Sequence, residues 1–203
     1  MSRTAQAPSP SPDRILLSGL ELFSRKGYDA TSVREICAAA GITKPTLYHF
    51  YGSKEGVYRA LVDGALDDFR RAITRALQSP GSAAERLRRV ARGYFERARG
   101  RRDLLRFIFG LIHNPASSAP RTDFPRFYDE VVAQIASEVE AGVEGGEFVP
   151  GRTDLRMLVL MGALGEALCG YLIVGKPQLS ATLADALTDT VISGWRPALK
   201  VRR

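Results

Sequence analysis

The sequence has few of the residues that build metal centres and disulfide frameworks. Its 203 residues include two cysteines, two histidines and one tryptophan. Cys37 and Cys169 stand far apart, so they suggest neither a disulfide framework nor a zinc-binding spacing, and no metal site is expected. No P-loop, dinucleotide-binding glycine motif or nucleophile motif occurs, so we expect no cofactor and do not expect an enzyme.

Two further patterns are missing from the sequence. The N-terminus lacks the charged, apolar and small-residue order of a signal peptide, which favours a cytoplasmic protein. No segment shows a convincing alternation of apolar and polar residues, so strands are not expected. Residues 1–12, "MSRTAQAPSPSP", are small, polar and rich in proline and are predicted to be a disordered arm.

The charge is strongly positive, and one segment is strongly apolar. The net charge of +7 and the pI of about 9.7 indicate an anionic partner, either nucleic acid or an anionic membrane. Met157 to Val174 contains a single charge, at Glu166, and is almost long enough to span a bilayer. A mid-span carboxylate and nearby glycines instead favour a helix packed against protein, although a membrane-linked or adaptor protein is the alternative.

Apolar residues recur at helical spacing through the chain. The pattern predicts a first helix from Asp13 to a stop at Gly27. Further helices are predicted at 32–40, 44–51, 54–77, 83–99, 103–113, 121–145, 153–174 and 180–199. The fold class is therefore all-α.

Several residues have the character of helix caps. Ser32 and Glu35 form a capping-box signature, and Gly41 stands where a helix ends in a left-handed residue. Thr43 and Ser53 are predicted to cap the third and fourth helices.

The second and third helices are short and are joined by the tight turn "GIT", as in a helix-turn-helix. At about 100° per residue, Leu47, Phe50 and Tyr51 fall on one side of the third helix and should pack inward. The residues Pro45, Thr46, Tyr48 and His49 point the other way, with Lys44 at the N-terminal end. Such side chains suit a DNA major groove. The alternative is an exposed aromatic patch covered by another part of the chain.

The stretch "ATSVREICAAAGITKPTLYHFYGSKEGVYRAL" closely resembles the DNA-binding domain of TetR-like (TetR/AcrR) transcriptional regulators, over residues 13–61. The resemblance implies a three-helix DNA-binding head at 13–60, a helical ligand-binding and dimerisation body at 61–203, and a homodimer on a palindromic operator. It implies a repressor released by a small, largely apolar effector. An activator or an effector-independent regulator on the same fold is the alternative.

The resemblance also implies positions of DNA contact. Those expected to touch DNA are Thr43, Lys44, Pro45, Thr46, Tyr48 and His49, and those expected at phosphates are Ser32, Arg34 and Lys54. Two residues depart from the family pattern. Pro45 stands where glycine is frequent, and Tyr51 stands where a buried phenylalanine is usual, so its hydroxyl needs a partner.

In the body, the resemblance implies that the last two helices form the dimer interface and that a ligand pocket lies among the middle helices. Residues at 3–4 spacing give the interface candidates Leu155, Leu158, Gly162, Gly165, Cys169, Leu183, Leu187, Thr190, Val191 and Gly194. Candidate pocket walls are Phe95, Phe107, Phe109, His113, Phe124, Phe127, Tyr128 and Tyr171, although aromatic residues at this spacing also build ordinary cores. The arginine-dense stretch from Arg86 to Arg106 is predicted to be solvated surface and not a second nucleic-acid site.

Overall fold

The computed structural model describes residues 11–113 and 118–197, and every regular element in these ranges is an α-helix. The all-α prediction is confirmed. The helices are α1 (Pro12–Lys26), α2 (Val33–Ala40), α3 (Lys44–Tyr51), α4 (Lys54–Leu77), α5 (Ala83–Ala98), α6 (Arg102–His113), α7 (Phe124–Glu144), α8 (Thr153–Val174) and α9 (Ala181–Ser193).

The predicted helix ends agree closely with the structure, with three corrections. Ser11 caps α1 and Pro12 is its first residue, so these two residues lie in the helix start and not in the predicted arm, whose other residues, 1–10, lie outside the described ones. Helix α7 begins at Phe124, three residues late, with a proline in its first turn. Helix α9 ends at Ser193, and its predicted last residues, 198–199, lie outside the described chain.

Local capping explains where the N-terminal helices begin and end. The capping box between Ser32 and Glu35 is present, and Gly41 ends α2 with a φ of 62°. Ser53 accepts a hydrogen bond from the backbone N–H of Gly56 at 3.0 Å, which confirms it as the cap of α4. Thr43 occupies the cap position of α3, but its side chain makes no capping bond, so that part of the prediction is wrong.

The chain folds into two compact units, and the first contains the described residues up to Ala65 and those within Asp103–Thr122. Its core is built from apolar side chains of α1 to α4, including the fully buried Ile15, Ile36, Leu47 and Val57. Gly19 lets α1 and α4 approach closely, since a Cβ there would lie 2.8 Å from Val57 Cγ1.

Helix α6 adds Phe107 to the first unit. The ring of Phe107 lies 5.1 Å from that of Tyr58 and 6.3 Å from that of Phe23. The units defined by packing therefore differ from the contiguous division at residue 60, because most of α6 packs with the N-terminal helices.

The second unit contains Leu66–Arg102 and the described residues from Asp123 onward. Helix α5 packs on α7, α8 and α9, and α8 packs on α7 and α9. The loop after α7 closes one end of this unit. Glu147, in this loop, accepts hydrogen bonds from the backbone N–H groups of Ala83 and Ala84 at 2.8 and 3.0 Å. It therefore caps the N-terminus of α5, although it is distant from that helix in sequence.

The arginine-dense stretch is largely neutralised by neighbouring acids. Arg88 and Arg92 of α5 pair with Asp189 and Asp185 of α9, each at 2.6 Å. Other contacts include Arg86–Glu138, Arg97–Asp68, Arg101–Asp68, Arg106–Asp103, Arg89 to the carbonyl of Pro80 and Arg102 to the carbonyl of Tyr171. Five of the nine arginines are exposed, as predicted for a solvated surface, and the other four are half-buried. Several of them also join helices.

Candidate nucleic-acid interface

Helix α2 is fixed at its start by a network around Glu35. The Glu35 carboxylate pairs with Lys26 and accepts hydrogen bonds from the backbone N–H and the hydroxyl of Ser32, at 2.9 and 2.8 Å. The hydrogen bond from Lys26, followed by those from Ser32, lowers the pKa of Glu35 to about 2. The carboxylate is therefore charged at neutral pH, where it also favours the helix N-terminus.

The turn between α2 and α3 is set by Gly41 and Leu47. Gly41 adopts the left-handed conformation, in which its N–H reaches the carbonyls of Cys37 and Ala38. A side chain at position 41 would strain the backbone at this φ, and its Cβ would displace the end of the Arg14 side chain, whose Nη2 lies 2.9 Å away. Leu47 is the buried residue of α3, with 0% of its surface exposed, and it fixes α3 with one face inward.

The opposite face of α3 is open to solvent. Tyr48 is 48% exposed, and Lys44, Pro45 and His49 are also exposed. Thr46 is half-buried, and its hydroxyl lies 2.9 Å from that of Thr43. The outward face, defined as Lys44, Pro45, Tyr48 and His49, therefore carries a cation, a phenol and an imidazole in adjacent turns.

The aromatic run is divided differently from the prediction at one position. Phe50 is 40% exposed and its ring lies 5.1 Å from that of His49, so it does not pack beneath the helix as predicted. Phe50 lies about 60° around the helix axis from Leu47, at the border between the buried side and the exposed side of this short helix. Tyr51, on the other side of Leu47, is half-buried, and its hydroxyl donates to the carbonyl of Pro12 at 3.1 Å. This hydrogen bond supplies the partner that the sequence required.

The three expected phosphate contacts have different environments. Arg34 is exposed on α2. The Ser32 hydroxyl is engaged with Glu35. Lys54 donates to the carbonyls of Tyr28 and Thr31 at 3.0 and 2.9 Å, and its Nζ lies 4.0 Å from the centre of the Tyr28 ring. Lys54 thus ties the α1–α2 turn to the start of α4, a role that the sequence pattern did not reveal.

The predicted pocket residues are divided between the two units. Phe107, Phe109 and His113 belong to the first unit, where the last two rings lie 5.5 Å apart. Phe95 is fully buried, and Tyr171 lies under the guanidinium of Arg102 at 5.0 Å.

Phe124, Phe127 and Tyr128 do lie together on α7. They are joined by two rings that were not predicted, Phe69 of α4 and Tyr94 of α5. The Phe69 ring lies 4.9 Å from that of Tyr94 and 5.8 Å from that of Phe127. The aromatic cluster, defined as Phe69, Tyr94, Phe124, Phe127 and Tyr128, could be found only from tertiary packing, because its members come from three helices.

Helix α8 leaves much of its apolar surface uncovered. By length and composition it could cross a bilayer, and 28% of its most apolar window is buried. Leu158 is 69% exposed, and Leu155, Gly162 and Glu166 are exposed beside it, while Gly165 and Cys169 are half-buried. On α9 the interface candidates are half-buried or exposed: Leu183, Leu187, Thr190, Val191 and Gly194.

No three acidic, histidine or cysteine side chains within residues 11–113 and 118–197 are placed to hold a metal ion.

Comparison with known proteins identifies the N-terminal segment. The family described as "Bacterial regulatory proteins, tetR family" matches residues 15–61, which contain the whole of α2 and α3. Residues 15–61 therefore carry a domain of the tetR family. The match covers the capping box, the Gly41 turn and the outward face, and the TetR relatives are named as transcriptional regulators.

Curated relatives match over part of the chain. The activator FasR of Mycolicibacterium smegmatis is 30% identical over 41% of this chain and 38% of its own length. The negative regulator IcaR of Staphylococcus epidermidis is 39% identical over 28% of this chain and 31% of its own length. The matched residues thus span about a third of the length of these relatives.

Solved structures, one of them described as a TetR-family regulator, match over almost the whole chain. PfmR of Thermus thermophilus is 25% identical with a TM-score of 0.75, and the match covers 94% of this chain and 100% of that one. FadR of Bacillus subtilis, solved with stearoyl-CoA, is 19% identical with a TM-score of 0.72, over 91% of this chain and 99% of that one. AibR, solved with isovaleryl coenzyme A and operator DNA, is 22% identical with a TM-score of 0.68, and the match covers 88% of this chain and 96% of that one. The last two likenesses show a shared fold.

Proposed function

We propose that this protein is a cytoplasmic DNA-binding transcriptional regulator in which α3 enters the major groove of an operator. The observation that carries the proposal is the division of α3 into a buried side at Leu47 and an outward face, within the segment that matches the TetR family. A helix that is anchored on one side and polar on the other can present its side chains to base edges.

The residues of the interface take separate roles in this proposal. Tyr48 and His49 contact bases from the middle of α3, because they are exposed and project away from Leu47. Lys44 and Arg34 contact phosphates, because each is an exposed cation at the edge of the helix pair. Thr43, Pro45 and Thr46 line the approach at the N-terminus of α3, where backbone N–H groups favour an anion.

Ser32 and Lys54 act mainly as positioning residues in this proposal. The Ser32 hydroxyl is bonded to Glu35, and the Lys54 ammonium is bonded to two carbonyl groups. Their contribution to DNA affinity comes from holding α2 and α4 in place, with any phosphate contact left to the remaining N–H of Lys54.

The protein acts as a homodimer through the exposed apolar surface of α8 and the neighbouring face of α9. Exposed leucines beside glycines suit close packing against a second copy, and Glu166 within the same helix disfavours a bilayer. A dimer would read a two-fold symmetric operator with half-sites about 34 Å apart. Light scattering of detergent-free protein should give twice the chain mass, whereas a membrane-linked protein would require detergent to remain in solution.

An acyl compound releases the protein from DNA in this proposal. Two fold neighbours were solved with acyl-CoA molecules, and the aromatic cluster of the second unit offers apolar surface for an acyl chain. Helix α4 belongs partly to each unit, so it links effector binding to the head along one continuous helix. The coupling free energy expected for such a response is about 1–3 kcal/mol.

Activation of transcription is the second candidate function. It is favoured by FasR, a relative that is named as an activator and is 30% identical over the matched residues. Both functions use the same DNA-binding face and differ in where the operator lies relative to the promoter.

Selection of genomic fragments by the purified protein tests the proposed function. We expect enrichment of a two-fold symmetric site, and adding octanoyl-CoA or stearoyl-CoA should lower the affinity for that site about 5–150-fold. A site that overlaps a promoter supports repression, and one upstream of it supports activation. Equal recovery of all fragments across a range of salt concentrations would contradict sequence-specific DNA binding.

A further inference from the structure

The aromatic cluster in the second unit is only partly closed. Phe127 is buried, but Phe69, Tyr94 and Phe124 are half-buried, and Tyr128 is 46% exposed. The ring centroids of Phe124 and Phe127 are 6.0 Å apart, so the rings touch at their edges and do not form a sealed stack. The cluster therefore leaves part of its apolar ring surface uncovered.

Neither phenol of the cluster makes a hydrogen bond with a described residue, and Tyr94 is the less exposed of the two. The Tyr94 hydroxyl makes no hydrogen bond with any described residue, although its ring packs on Phe69. Loss of water, together with the nearby Tyr128, raises the pKa of Tyr94 to about 12. A tyrosine phenol is protonated at neutral pH with or without this shift, so the Tyr94 hydroxyl can donate a hydrogen bond. Polar groups in such surroundings are normally satisfied by protein, water or a ligand.

The cations beside the cluster are already paired. The Arg70 guanidinium lies 5.4 Å from the centre of the Phe127 ring, and it binds Asp67 at 2.6 Å and Glu130 at 3.2 Å. Arg126 also binds Glu130, at 3.0 Å. A carboxylate brought into the cluster would lose water without gaining an unpaired cation, whereas a neutral carbonyl loses much less on the same transfer.

We propose that Tyr94 donates a hydrogen bond to the carbonyl oxygen of a neutral acyl group, in an ester, thioester or ketone, whose chain packs against Phe69 and Phe127. The inference rests on the acyl effector of the proposed function and narrows it. It favours a neutral carbonyl over a free carboxylate because the neighbouring cations are already paired, and it assigns the hydrogen-bond donor to Tyr94, a residue that the sequence did not reveal.

Calorimetric titration of the full-length protein with methyl nonanoate and with decanoate tests this selection, because the two probes have the same number of carbons. Wild-type protein should bind the ester more tightly than the carboxylate at pH 7.5. Tyr94→Phe keeps the ring and removes the donor, so it should weaken ester binding roughly fivefold. The matched control is Tyr28→Phe, which removes a phenol from the first unit and should leave ester affinity unchanged.

Three results would overturn the assignment: equal ester affinity in Tyr94→Phe and wild type, tighter binding of decanoate than of the ester, or no binding of either probe by wild type. Operator affinity, measured on the same proteins, separates this test from the proposed function. Loss of ester binding in Tyr94→Phe with unchanged operator affinity supports the assignment. If the ester binds through Tyr94 but leaves operator affinity unaltered, the assignment stands and the effector response of the proposed function fails.

Discussion

Replacement of Leu47 by alanine should destabilise the head much more than replacement of its neighbour Tyr48. Leu47 is 0% exposed and is the buried residue of an eight-residue helix, so its truncation leaves a cavity where α3 meets α2. Buried Leu→Ala changes cost about 2–5 kcal/mol, through lost transfer free energy and the cavity itself. Tyr48→Ala changes a residue that is 48% exposed, and we expect an effect within about 0.5 kcal/mol on folding.

Urea denaturation followed by circular dichroism measures both variants against the wild type. The midpoint for Leu47→Ala should fall with little change in slope, and that for Tyr48→Ala should stay close to wild type. Because the chain has two compact units, hydrogen exchange of the α2 and α3 amides should localise the loss to the first unit. A Tyr48→Ala protein that is as unstable as Leu47→Ala would refute the assignment of the two faces of α3.

Three further substitutions test the packing that supports the sites. Gly142→Ala should destabilise the second unit in thermal unfolding, because the new Cβ would lie 2.4 Å from the Phe148 ring. The control is Gly64→Ala, where the new Cβ meets open space. That variant should have unchanged stability or gain up to about 1 kcal/mol. Glu147→Ala should lower the free energy of unfolding by about 1 kcal/mol, because it removes the acceptor for the first N–H groups of α5. The control is Glu144→Ala, at the exposed end of α7. An equal loss of stability in the control would contradict the capping role of Glu147.

The third substitution, Glu35→Gln, tests a pH dependence. The folded pKa of Glu35, about 2, lies below its ordinary value of 4.5, so its contribution to stability is present above pH 4.5 and is lost as the pH falls toward 2. The Glu35→Gln protein should therefore lose less stability than wild type over that pH range in acid unfolding, and identical acid profiles would contradict the network with Lys26 and Ser32.

Local sequence signals predicted most helix boundaries because the caps act within a few residues. The Ser32–Glu35 capping box, the left-handed Gly41 and the Ser53 cap each depend on neighbours in the sequence, and the structure confirms all three. Thr43 differs because its hydroxyl has a competing partner in Thr46, and the residue pattern does not determine which partner prevails.

Side-chain roles that depend on tertiary packing were much harder to predict. Lys54 looked like a phosphate ligand, but two carbonyl groups from the α1–α2 turn occupy its ammonium. Helix periodicity predicted that Phe50 lies on the inward side of α3. In the structure it is 40% exposed, because no neighbouring element of the described chain covers that side of the short helix. The pairing of the Arg88 and Arg92 side chains with α9 likewise depends on residues about a hundred positions away.

Fluorescence anisotropy with the selected operator is the most direct test of DNA reading by α3. Wild-type protein, Tyr48→Ala and His49→Ala should be titrated with the operator duplex and with a scrambled duplex at one fixed salt concentration. We expect both variants to lose affinity for the operator, by about 1–3 kcal/mol per base contact removed, and to keep wild-type affinity for the scrambled duplex. Unchanged operator affinity in both variants, with the dimer intact, would contradict the central claim.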